Sequence, residues 1–101
     1  MEEQVILHVV MEALSGRENE LAEQLNALVA PTRAEAGCLD YRLHRDPENA
    51  GVFMFYERFA SQAALDAHLA TDHFRKFGEY RGTAKPDPVA KVTVVRWQLV
   101  A

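Results

Sequence analysis

The chain has 101 residues, of which 49% are hydrophobic and 26% charged, a composition that fits one globular domain over residues 1–101 and excludes a disordered chain. Fifteen acids against eleven bases give a net charge of −4, with Lys and Arg scattered along the sequence, so a phosphate-tracking nucleic-acid surface is not expected. No apolar run approaches the roughly 20 residues of a membrane span, and Cys38, the single cysteine, allows neither an internal disulfide nor a cysteine metal cage.

The start, MEEQVILHVV, carries acids where an export signal would carry bases, and a cytoplasmic protein is expected. Residues 4–13, QVILHVVMEA, are β-branched and aliphatic and predict a strand. Ser15, three residues before Glu18, has the spacing of a capping box and predicts a helix start. Leu21, Leu25, Leu28 and Val29 then recur at the helical period, Pro31 is expected to loosen the helix, and Ala36-Gly37 ends it.

CLDYRLHR at 38–45 and VFMFYERF at 52–59 read as two strands of a hairpin joined by the turn residues DPENAG. Ser61 is placed to cap a second helix with Leu65 and Leu69, and Thr71 to cap a continuation with Phe74, Phe77 and Tyr80, so a break is expected near Thr71. A loop with two prolines, GTAKPDP, leads to a last strand, VAKVTVVRWQLV. The element order is β-α-β-β-α-(α)-β, which predicts an α+β fold.

In the third strand, alternation places Phe53, Phe55, Glu57 and Phe59 on one face and Val52, Met54, Tyr56 and Arg58 on the other. Helices from so short a chain cover one side of a four-stranded sheet, which leaves the second apolar face in water unless a partner covers it. A homodimer with two sheets face to face is therefore expected, the last strand being a candidate to reach across.

Chemistry-bearing residues concentrate in LDAHLATDHFRKF, residues 65–77. In an unbroken helix His68 and His73 would point roughly 140° apart, at about 100° per residue, and could not share an ion. If the helix breaks at Thr71 their directions are independent, but a two-histidine site then needs carboxylate ligands that the sequence does not locate, so no metal site is expected. His68, at the edge of the apolar helix face, reads either as a half-buried histidine bonded to a backbone carbonyl or as a proton acceptor in a pocket between helix and sheet. Glu57 interrupts the inward aromatic row, and either pairs with His68 or finds solvent or a backbone amide. His8, His44, Tyr41, Tyr80 and Trp97 read as sheet-face or core residues, and no phosphate loop or nucleophile elbow occurs.

EAGCLDYRL at 35–43, FMFYERFAS at 53–61 and ALDAHLATDHFRKF at 64–77 together resemble the antibiotic biosynthesis monooxygenase family, in particular its small quinol monooxygenase-like members, over roughly residues 4–99. The resemblance implies a ferredoxin-like fold, a dimeric α-β barrel, and oxidation of a hydroquinone-like or polyketide-derived aromatic by molecular oxygen without cofactor. Glu57, Phe59, His68 and His73 fall on positions of the family pattern. The resemblance implies His68 as base with Glu57 orienting it, and Phe55, Phe59, His73, Phe77 and Tyr41 as walls for the substrate. Position 59 is Phe where many members have Trp. Gly78 stands where a haem-degrading branch has its histidine ligand, which argues against haem chemistry. Isomerisation of a small carbonyl compound in the same pocket, and a non-catalytic dimer that binds a small aromatic, remain as alternatives.

Overall fold

Four segments rich in β-branched and aromatic residues become four strands, and the computed structural model, which describes residues 3–101, joins them into one antiparallel sheet. Met1 and Glu2, part of the acidic start and of the 1–101 domain, lie outside the described residues. The elements are β1 (Val5–Ala13), α1 (Glu18–Asn26), α2 (Val29–Arg33), β2 (Cys38–Asp46), β3 (Asn49–Phe59), α3 (Gln62–Leu69), α4 (Asp72–Thr83) and β4 (Val89–Trp97). The sheet order is β2-β3-β1-β4, so the fold is α+β and ferredoxin-like, with the first helical segment in two pieces. Among the described residues no helix is long and apolar enough to cross a membrane.

The helix boundaries follow local chemistry. The capping box expected at Ser15 does not form: Glu18 Oε1 accepts from the Gly16 N–H at 2.7 Å, the N-cap position is Arg17 and no side chain caps α1. Gly16, at φ +87°, inserts a turn that leaves Ser15 two positions ahead of the cap. The interruption at Ala27 and Leu28 lies one turn before Pro31, which has no N–H for the Ala27 carbonyl and crowds it. Ser61 Oγ accepts from the Ala64 N–H at 3.1 Å and starts α3. Thr71 Oγ1 accepts from the Phe74 N–H at 3.3 Å and donates to the His68 carbonyl at 2.7 Å, so one side chain ends α3 and begins α4.

Alternation decides which residues enter the core. Val5, Leu7 and Val9 of β1 and Phe53, Phe55 and Phe59 of β3 are buried on one face, closed by Leu21, Leu25 and Phe77 from the helices and by Leu28 between α1 and α2. A register shift in β2 pairs Cys38 with Phe59 and Tyr41 with Glu57, so the extra residue at Leu39 brings both Cys38 and Tyr41 inward. Gly37 lies against α3: a Cβ there would stand 2.3 Å from the Ala64 Cβ, so only glycine lets the turn before β2 approach this helix. The opposite face carries Ile6, Val10, Met54, Tyr56, Val95 and Trp97, each at least partly exposed.

Candidate active site

A cavity of about 550 Å³ opens between the sheet and α3 and α4, a size and place typical of small-molecule pockets. Its walls are mostly apolar, and His68, Glu57, Phe55, Tyr41 and Phe77 all line it. Phe59 and His73, also expected as walls, do not. Phe59 is wholly buried against His68, with ring centroids 5.0 Å apart, and the His73 ring lies 6.1 Å from that of His68.

His68 is buried, and its carboxylate partner is Glu35 rather than Glu57. Nδ1 lies 2.8 Å from Glu35 Oε2, and a carboxylate oxygen only accepts, so Nδ1 carries the proton in this pair. The lone pair of Nε2 is then left on the remaining side of the ring, and His68 lines the cavity. Phe59, Phe74 and Tyr41 surround the ring at centroid distances of 5.0, 5.2 and 5.7 Å and fix its plane. His73, in the first turn of α4, places Nε2 2.6 Å from the same Glu35 oxygen.

Glu35 sits in the turn between α2 and β2. Its N–H bonds to the Thr32 carbonyl at 3.0 Å and its own carbonyl accepts from the Cys38 N–H at 3.1 Å. The next anchor is Gly37, whose carbonyl accepts from the Ala60 N–H at 2.9 Å and whose missing side chain admits α3. These contacts carry the carboxylate to a helix 33 residues away in sequence. Sequence reasoning missed Glu35 because one acid in a turn has no period. Arg81 of α4 and Arg96 of β4 also line the cavity and were missed because a charged residue on a helix or strand reads as a solvent-facing group. Arg81 pairs with Asp87 at 3.0 Å and Arg96 donates to Gln62 at 2.8 Å.

Glu57 is 5% exposed and paired in the ladder with Leu7 on one side and Tyr41 on the other, so it does not reach solvent at a strand end. Among the described residues its carboxyl has no hydrogen-bonding side-chain partner. Burial, reinforced by the nearby Glu35 charge, pushes its pKa up to about 7. Burial likewise pushes the Tyr41 phenol upward, so it stays protonated. The cavity therefore offers a hydroxyl, a readily protonated carboxyl and a histidine nitrogen to one ligand.

The raised Glu57 pKa has a stability consequence. An acid that holds its proton more tightly when folded contributes most below its unfolded value, near 4.5, and that contribution is lost as pH rises through about 7. Glu57→Gln removes the charge and keeps the shape. The variant is expected to match the parent at pH 4 and to exceed it at pH 8 by on the order of 3 kcal/mol. Urea denaturation at both pH values tests this, and a stability gap that does not change with pH contradicts it.

Comparison with known proteins identifies the family and the fold. A family model described as antibiotic biosynthesis monooxygenase matches residues 4–80. The Mycobacterium tuberculosis protein Rv0793 is 38% identical over 71 residues, which cover 70% of this chain and 68% of that protein. The uncharacterised Synechocystis protein sll1783 is 33% identical over 73 residues, 72% of this chain, and the match spans 47% of its length. The crystal structure of PA3566 from Pseudomonas aeruginosa superposes with a TM-score of 0.91 at 34% identity, covering 100% of this chain and 98% of that one. With the family model over most of its length and the same fold in a solved relative, this chain belongs to the antibiotic biosynthesis monooxygenase family.

Proposed function

We propose that the protein is a homodimeric, cofactor-independent monooxygenase that oxidises a hydroquinone-like or polyketide-derived aromatic with molecular oxygen. The observation that carries this reading is the His68 ring, held by Glu35 through Nδ1 and bordering an apolar cavity. Glu35 takes the orienting role that the sequence reading assigned to Glu57. It fixes the tautomer that leaves Nε2 free and stabilises the imidazolium once Nε2 has taken a proton. Glu57, held protonated up to about neutral pH, is placed to donate to a substrate oxygen.

For an anthrone-type ring CH₂ the steps balance without a further reagent. Nε2 removes one benzylic proton, and the resulting carbanion passes one electron to O₂. The carbon radical and superoxide combine to form a C–O bond, and the imidazolium returns its proton to give a hydroperoxide. Loss of water, which takes the second hydrogen of the carbon, leaves a carbonyl. One oxygen atom ends in the product and one in water, and the substrate carbon supplies all four electrons. The apolar walls hold the planar ring and keep water from the anion, while Arg81 and Arg96 add positive charge at the lining.

The dimer rests on the sheet face that the helices leave uncovered. Trp97 is 52% exposed and Val95 39%, and Leu99 and Val100 follow β4 as exposed apolar residues suited to a neighbouring subunit. Light scattering at micromolar concentration should give twice the 11.4 kDa chain mass; a stable monomer contradicts the dimer.

Oxygen uptake by chelator-treated protein against a panel of hydroquinones and anthrones tests the activity. Uptake above autoxidation is expected, and its absence across the panel overturns the reading. A second reading has its own support: a protonated carboxyl and a histidine base lining one cavity are also the pair that moves a proton across a small carbonyl compound. Turnover that persists without oxygen identifies that isomerase. Stoichiometric ligand binding with no product under air identifies a non-catalytic carrier of a small aromatic.

A further inference from the structure

The break at Thr71 and the turn holding Glu35 meet both conditions that a two-histidine ion site requires here: independent ring directions and a carboxylate within reach. His68 Nδ1 and His73 Nε2 lie 2.8 and 2.6 Å from one oxygen, Glu35 Oε2, and one ligand atom from each of the three residues lies within 4.8 Å of the others. They come from three different elements, the turn before β2, the last turn of α3 and the first turn of α4.

We propose that Glu35, His68 and His73 form an inhibitory site for a borderline divalent transition-metal ion such as Zn²⁺, with water completing its shell. Two imidazole nitrogens and one carboxylate suit zinc, nickel or cobalt, whereas calcium and magnesium favour oxygen-only sets. With bonds of about 2.0–2.2 Å, an ion needs its ligands about 3.3 Å apart in a tetrahedron. The present separations from Glu35 reach that by small rotations of His73 and the carboxylate. His68 provides the rigid member, buried among Phe59, Phe74 and Tyr41. Glu35 and His73, 14% and 22% exposed, leave a way in from solvent.

The position of the cluster argues against a metal that works on the cavity's ligand. Only His68 among the three lines the cavity, so the ion lies on the Nδ1 side of its ring and the ligand on the other. A neutral imidazole carries one proton. With the ion on Nδ1 that proton moves to Nε2, which then points a donor at the cavity in place of a lone pair. This consequence rests on His68 being the base proposed above, whereas the ion site itself does not.

Titration calorimetry of chelator-treated protein with Zn²⁺, and absorption spectra with Co²⁺, test the site without reference to turnover. One ion per chain and the visible bands of low-coordinate Co²⁺ are expected. Glu35→Gln and His73→Asn should each weaken Zn²⁺ binding about 100-fold, at or above the loss seen when an outer partner of a ligand is removed. His44→Gln, on the opposite sheet face, should leave it unchanged, and thermal melts check that each variant is folded. No stoichiometric binding, or equal affinity in all three variants, overturns the site. Zn²⁺ that binds as expected should also abolish oxygen uptake; binding without inhibition keeps the site and overturns the role of His68 as base.

Discussion

His68→Gln is expected to lower kcat for the oxidised aromatic about 10²- to 10⁴-fold, the usual contribution of a positioned base, with little change in KM. Glutamine retains much of the volume and can still donate to Glu35, so the packing against Phe59 and Phe74 is largely preserved. It has no basic nitrogen for the cavity, so the proposed proton abstraction is lost. Oxygen-uptake kinetics of parent and variant, with circular dichroism to show an intact fold, measure this. Unchanged kcat removes His68 from the chemistry. A rise in KM alone would make it a binding group.

Phe59→Ala carries the largest expected effect on stability, a loss of about 3–5 kcal/mol, as for other buried aromatic truncations. The side chain is wholly buried at the end of β3, opposite Val5 of β1 and Cys38 of β2, and it packs against the His68 ring. A domain of this size has about 5–15 kcal/mol in all, so the variant should be barely folded at room temperature. Phe59→Leu, which leaves a smaller void, should lose much less. Urea midpoints of the two variants test the point: a truncation that costs under about 1 kcal/mol would show that the site collapses around the void or that Phe59 is not core. Because Phe59 packs against His68 and does not line the cavity, the leucine variant is expected to keep the parent KM.

Several features were readable one element at a time. Each strand declared itself by β-branched and aromatic residues, Thr71 announced the helix break by its capping chemistry, and Pro31 marked the interruption one turn earlier. The inward row Phe53, Phe55, Glu57, Phe59 came from alternation alone, and all four are buried. Ser15 shows where such local reading stops. Its spacing to Glu18 fits a capping box, yet a glycine with positive φ between them redirects the chain, and a backbone angle leaves no trace in spacing.

The sequence by itself determined the α+β element order, the buried face of the central strand, and the candidacy of His68 and Glu57, because these depend on period, capping and the cost of a charge in an apolar row. Only the tertiary structure decided the partners. Glu35 reaches His68 because Gly37 lets a turn close on α3, and that contact depends on an absent side chain and on two elements meeting in space. The same closure separates Glu57 from its expected partner and brings His73 onto the Glu35 oxygen, since long-range hydrogen bonds are set by packing geometry, which neighbouring residues in the chain do not encode.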